Sequence, residues 1–395
     1  MSELQSRSRI LLLSAGLMSF VLLGAGQAVI GPALPVFQKS FDIDISTAGW
    51  LISSLGIGSF LGLVGMYFIG RHVTPSVALF VMAAGAALIA ASPGFLVSVL
   101  GGTTFGLGYG CVAALFNARI LAAFGARGAS MVSLLNAGYS IGAIAAPLVF
   151  VALGSDPRLV FGLIAISLVL TILISGKAGG GKAPARVGGG QFRFDLPILA
   201  FGLVAIGIEV SLAGLGPSAM IRAGIPADRA AGLLSAFFVA FLAGRLALTV
   251  LADRIPAFAV YTLACLLTSA FALGCAVIGP GWFFVPMGLS AGLFFPGYYV
   301  TATLRMGDDP RVAPVILATC QIGAVFTPLG ASGLIPLLGD RGFFWLVTVA
   351  AGLIGLLAAA SYRRMVRPGV TLPGVTPHDP DRSAEMRRDL RSPPR

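Results

Sequence analysis

Apolar stretches of about 20 residues follow one another along the chain, and short gaps between them carry most of its charges. Within each stretch the apolar residues run without a break. Strands of a membrane barrel would alternate with period two; continuous runs of this length mark helices. In the hydrocarbon of a bilayer every backbone polar group must be paired inside the protein, which favours the same solution. The pattern predicts twelve spans: Ile10–Val36, Ala48–Ile69, Ser76–Ala91, Gly94–Phe116, Ser130–Leu153, Leu159–Ile174, Leu196–Ala219, Ala230–Leu251, Ala257–Ile278, Trp282–Leu304, Val312–Leu338 and Gly342–Tyr362. Met1–Arg9 leads into a run too long for a signal-peptide core and is read as the start of the first span.

Composition strengthens this reading. Of 395 residues, 57% are apolar and 10% charged, with a mean hydropathy of +0.95. A soluble domain is about 25% charged, so this chain lacks the material for a water-facing surface. A cytosolic enzyme and a disordered regulator are both excluded. The net charge of +11 would point to nucleic acid in a soluble protein. Here the basic residues sort by loop, and no nucleic-acid partner is expected.

With the N-terminus inside, the inner segments hold 20 of the 26 Lys and Arg residues, among them Arg71, Arg254 and eight arginines from Arg363 to Arg395. The outer loops hold 5: Lys39, Arg158, Arg222, Arg229 and Arg341. Arg245 alone falls inside a span. Positive charge gathers on the cytoplasmic side of membrane proteins. The asymmetry predicts both termini in the cytoplasm and a multi-pass protein of the plasma (cell inner) membrane.

The gap after span six holds Gly179-Gly180-Gly181 and Gly188-Gly189-Gly190, the composition of a flexible linker. It divides the chain into a bundle over 1–174, a cytoplasmic linker over 175–195, a second bundle over 196–364 and a tail over 365–395 expected to be disordered. The halves resemble each other. An offset of 183 places Ala48-Gly49 on Ala231-Gly232 and Arg71 on Arg254. An offset of 186 places Gly106-Leu107 on Gly292-Leu293, and one of 181 places Gly142-Ala143 on Gly323-Ala324. This ordered set marks an internal duplication. The fold class expected is all-α: twelve transmembrane helices in two pseudo-symmetric six-helix bundles.

Several motifs carry a family resemblance. Gly31-Pro32-Ala33-Leu34-Pro35 closes the first span, Gly49-Trp50-Leu51 opens the second, and Leu251-Ala252-Asp253-Arg254 follows the eighth. With Gly106-Leu107-Gly108-Tyr109-Gly110 in the fourth, the sequence resembles the major facilitator superfamily up to about Arg364. Gly207-Ile208-Glu209-Val210-Ser211, Gly244-Arg245-Leu246 and Phe294-Phe295-Pro296 are similar to its fucose-permease-like branch, which moves sugars with protons. That branch places carboxylates in spans one and four, where this sequence has Gln27 and Asn117. The resemblance implies a secondary transporter working by alternating access, with Asp253, Arg254 and Arg71 as a cytoplasmic gate.

Glu209 is the sharpest candidate, the one acid of 15 inside a span. A carboxylate at mid-depth is costly and usually faces a cavity with a task. It is the expected proton-coupling site, and Arg245 the expected partner for it or for an anionic substrate. Gln27, Asn136, Tyr139, Tyr298 and Gln321 complete the expected substrate and proton pathway; Asn117, near an inner helix end, is read as structural. Cys111, Cys265, Cys275 and Cys320 lie in apolar runs without metal-ligand spacing, so neither a metal nor a disulfide framework is expected. No enzymatic activity or cofactor is expected. The expected partners are a small-molecule substrate (a sugar or small organic compound), protons and membrane lipid, with the chain a monomer. The rivals are a drug or metabolite efflux antiporter and a transporter-like sensor without flux.

Overall fold

The computed structural model describes residues 2–70, 72–175, 192–251, 254–307, 309 and 311–366. Residues 176–191 of the predicted linker and 367–395 of the predicted tail lie outside them, as do Arg71 and Asp253. The described residues fold into α-helices joined by short turns. The first six are α1 (Ser2–Phe41), α2 (Ile45–Ile69), α3 (Pro75–Ala91), α4 (Phe95–Phe124), α5 (Gly128–Ala152) and α6 (Pro157–Ser175). After the linker come α7 (Leu196–Arg222), α8 (Ala227–Leu251), α9 (Ala257–Val277), α10 (Pro280–Ala291), α11 (Phe294–Met306), α12 (Val312–Leu334) and α13 (Gly342–Met365). Counting α10 and α11 as one crossing, Pro280–Met306, eleven helical segments are long and apolar enough to span a membrane. The apolar α3, at 17 residues, is shorter than those eleven.

Local chemistry sets the helix starts. Asp44 accepts a hydrogen bond from the Thr47 N–H at 2.9 Å, and Thr74 accepts one from the Val77 N–H at 3.3 Å, just before Pro75. Both occupy the N-cap position, where a side-chain oxygen satisfies an otherwise orphaned helical donor. Asp195 does the same for α7 through the Ile198 N–H. Its carboxylate also takes both the Nε and an Nη of Arg305, at 2.7 and 2.6 Å, and Arg305 donates to the Arg364 carbonyl. One ion pair, two guanidinium nitrogens on the Asp195 Oδ2, thereby fastens the start of α7 to the ends of α11 and α13.

The same pattern of packing recurs in both halves. Helix α2 lies against α4, α1 against α5, and α3 against α4 and α6; α7 lies against α12, α9 against α13, and α8 and α9 against α10. Across the halves α2 meets α12, α5 meets α8 and α1 meets α7. Glycines repeated by the internal offset make the repeated approaches. A Cβ on Gly106 would strike the Leu55 carbonyl of α2, and one on Gly292 the Phe241 carbonyl of α8. Likewise Gly142 abuts the Val21 carbonyl and Gly323 the Leu203 carbonyl. Leu55 and Phe241 are 186 residues apart, as Gly106 and Gly292 are.

The expected crossing over Trp282–Leu304 is present as Pro280–Met306, with an interruption at Gly292-Leu293 between α10 and α11. At the break Gly292 donates to Gly288, and Leu293 tightens back to Ser290. Pro296 lies four residues beyond Gly292 and has no N–H, so the helical partner of the Gly292 carbonyl is missing. The equivalent of Pro296 in the first half is Gly110, and α4 runs through unbroken.

Candidate functional site

A cavity of about 290 Å³ lies between the halves, lined by α1, α2, α4 and α5 from one side and α7, α8, α11 and α12 from the other. It contains Glu209, Arg245, Gln27, Asn136, Tyr139 and Gln321, six of the seven pathway residues expected from sequence. Tyr298 is not among its walls. It is fully buried, packed against Gly202 and within ring contact of Tyr261. Tyr109 and Asn117 do line the cavity, with Ser59, Phe295 and Cys320. Asn117, expected to be structural, is thus also a cavity-lining residue. Its Oδ1 is shielded and has no hydrogen-bond partner among the described residues.

The cavity is sealed toward the end that carries the α1–α2 and α7–α8 turns. There Ser46 donates to the Ser332 carbonyl at 3.2 Å and Ser53 to the Val325 carbonyl at 2.8 Å, both from α2 to α12. Ser235 of α8 donates to the Ile144 carbonyl of α5 at 2.6 Å. Deeper in, Gln321 bridges to Ser59 at 2.5 Å. Among the described residues, the hydrogen bonds that join the halves all lie at or beyond that level. Asn117, Asn136 and Arg245 lie toward the other end.

The two charged groups of the cavity are both on its C-terminal wall. Glu209 is half-buried in the middle of α7, and its Oε2 is shielded from solvent without a hydrogen-bond partner among the described residues. Arg245 of α8 makes no ion pair with it. Instead the Arg245 Nε donates to the Gly292 carbonyl at 3.4 Å, the group that Pro296 leaves unpaired, and its guanidinium carbon lies 4.3 Å from the centre of the Phe241 ring. Arg245 therefore turns inward to a helix break and an aromatic face, not out to the interface. The opposite wall offers neutral donors and acceptors: Gln27, Tyr109, Asn117, Asn136 and Tyr139. Asn136 spends one N–H on the Val132 carbonyl of its own helix.

Of the expected gate, Arg254 is exposed in the turn after α8, and Asp253 and Arg71 lie outside the described residues. The four cysteines are free, buried thiols. Among the described residues no three His, Cys, Asp or Glu side chains gather to hold a metal.

Spanning helices around a largely apolar cavity that carries a few polar side chains are the architecture of a multi-pass membrane protein. Residues 16–313 match the Major Facilitator Superfamily, and the chain belongs to this family of transporters. No curated protein matches the chain in sequence. Solved structures share the fold. The nucleoside transporter NupG is 13% identical with a TM-score of 0.69, covering 92% of this chain and 100% of that one. The D-xylose-proton symporter is 15% identical with a TM-score of 0.68, covering 91% and 97%. A bacterial homolog of the human lysosomal transporter Spinster, in an inward-facing and unoccupied conformation, is 14% identical with a TM-score of 0.69, covering 92% and 99%.

Proposed function

We propose that this protein is a proton-coupled secondary transporter of a small polar organic solute, working by alternating access in the plasma membrane. The observation that carries this reading is Glu209: a lone carboxylate on the wall of a chamber between two repeated halves, with one oxygen shielded and unpartnered. Water reaching it from the proton-rich side would leave it protonated, and exposure to the other side would release the proton. The polar groups that share the chamber with it include Arg245 from α8, Cys320 and Gln321 from α12, Gln27 from α1, and Tyr109 and Tyr139 from α4 and α5.

The repeated glycine contacts support two six-helix bundles, residues 1–174 and 196–364, joined by a cytoplasmic linker over 175–195. The short α3 makes the twelfth span, and the basic 365–395 tail stays in the cytoplasm. With both termini there, the sealed end faces outward and the chamber is in its inward-facing state. Asp253, Arg254 and Arg71 then serve as the charged gate that closes the inner end. The unit is a monomer, because the chamber is complete within one chain.

The test is uptake into proteoliposomes with and without an imposed pH gradient, in the wild type and in Glu209→Gln. The gradient should accelerate net uptake by the wild type. In Glu209→Gln, solute exchange should persist while gradient-driven accumulation is lost. Equal accumulation by both proteins would refute the assignment of Glu209.

A further inference from the structure

We infer that the transported solute is a small organic monoanion whose carboxylate is held by the outer edge of the Arg245 guanidinium; this rests on the transport reading above. Arg245 is the one cation among the described residues of the chamber wall, and its hydrogen-bonding capacity is already divided. Its Nε is committed to the Gly292 carbonyl at 3.4 Å and its face to Phe241 at 4.3 Å. Those two contacts fix the plane of the guanidinium. Among the described residues neither Nη makes a hydrogen bond, although Arg245 lines the chamber. A fixed plane with a free two-nitrogen edge matches the geometry of a carboxylate, which accepts two parallel N–H bonds.

Charge balance agrees with this assignment. Glu209 stands in the same chamber but does not neutralise Arg245 by pairing with it. When Glu209 carries its proton, the chamber holds one net positive charge, and an occupant with one negative charge makes it neutral. Release of solute and proton together restores the starting charge, so each cycle carries an uncharged pair. The volume of about 290 Å³ sits at the low end of small-molecule sites, about 300–1,000 Å³. The neutral donors on the opposite wall, Asn117, Asn136 and Tyr139, would take hydroxyl or carbonyl groups on the remainder of the solute.

The arrangement belongs to one half only. Under the 186 offset, Arg245 falls on Ser59 and Pro296 on Gly110. The cation and the helix break that orients it therefore occur together in the second half and are both missing from their counterparts in the first. That pairing separates a site from a charge that merely sits near the membrane.

The experiment compares a panel of small monocarboxylates with their uncharged amides and with neutral monosaccharides, by thermal shift of the purified protein. Monocarboxylates should raise the melting temperature of the wild type and their amides should not. In Arg245→Gln the apparent affinity for the best carboxylate should fall by roughly tenfold to a hundredfold, the loss of a charged hydrogen-bonding partner. Arg245→Lys keeps the charge without the fork and should fall between the two. Both variants must elute as monodisperse helical protein; if Arg245→Gln does not, Arg245→Lys and the acid-against-amide comparison decide. Stabilisation by sugars or amides but not by acids overturns the anion assignment and leaves proton-coupled transport standing. Carboxylate binding that survives in both variants also overturns it. Carboxylate binding without any uptake into vesicles upholds this site and refutes the transport reading instead.

Discussion

The Arg245 Nε donates to the carbonyl of Gly292 from 3.4 Å, at the one point where Pro296 leaves that carbonyl without its helical donor. A side chain on α8 thus completes the backbone of the α10–α11 crossing. Such repair is how a bilayer tolerates a broken helix, since an unpaired carbonyl in hydrocarbon is costly. Whatever draws Arg245 away also loosens the break.

Pro296→Ala restores the missing N–H and should join α10 to α11. Proline inside a helix costs about 3 kcal/mol, so the variant should melt at a higher temperature than the wild type. Its solute exchange in vesicles should be several-fold slower if the break bends during the cycle. Melting curves and counterflow on the same preparation check both parts.

Gly142→Ala and Gly323→Ala place a methyl group against the Val21 and Leu203 carbonyls. Each should destabilise by about 1–3 kcal/mol, as overpacking does. Because the two contacts are equivalent under the internal repeat, the two losses should be similar. Melting temperatures of both variants measured side by side test this.

Asp195→Asn removes the carboxylate that Arg305 grips with two nitrogens and weakens the cap of α7. The expected loss is about 1–3 kcal/mol. The same substitution in an Arg305→Gln background should cost less, since the pair is already broken. A double-mutant cycle on melting temperature gives the coupling.

Asp44 titrates below its usual range, because the Thr47 side chain and then the Thr47 N–H hydrogen-bond its charged form. A lowered folded pKa means the contribution is complete above the unfolded value of 3.8 and is lost as pH falls through the still lower folded value. Melting temperature should therefore drop as the pH is taken below that range. Asp44→Asn should lack this part of the drop, as a matched acid titration of both proteins would record.

Some of this was legible in the sequence, for physical reasons. A charged residue in an apolar run has no cheap explanation, so Glu209 and Arg245 stood out, and both line the chamber. Their separation was not legible, because it depends on the Gly292 carbonyl competing for Arg245. Asn117 was read as structural and Tyr109 only as part of a glycine motif: a neutral polar residue in a glycine-rich helix can face a neighbour or a chamber equally well. The adjacent Tyr298 and Tyr299 illustrate the same difficulty. Hydropathy smooths over the interruption between α10 and α11, and successive residues of α11 point different ways: Tyr298 goes into the core, while Tyr299 stacks on Phe295. Pro296 four residues after Gly292 was the available clue to that break.

The closed end is held by serine hydroxyls reaching main-chain oxygens, with no ion pair among the described residues joining α2 to α12 or α5 to α8. A hydrogen bond between membrane helices contributes about 0.6 kcal/mol on average. Such a fastening parts in small steps, like a zip, and no stranded charge has to be rehydrated when it does. Its opening should accordingly be indifferent to the ionic strength of the medium bathing that face.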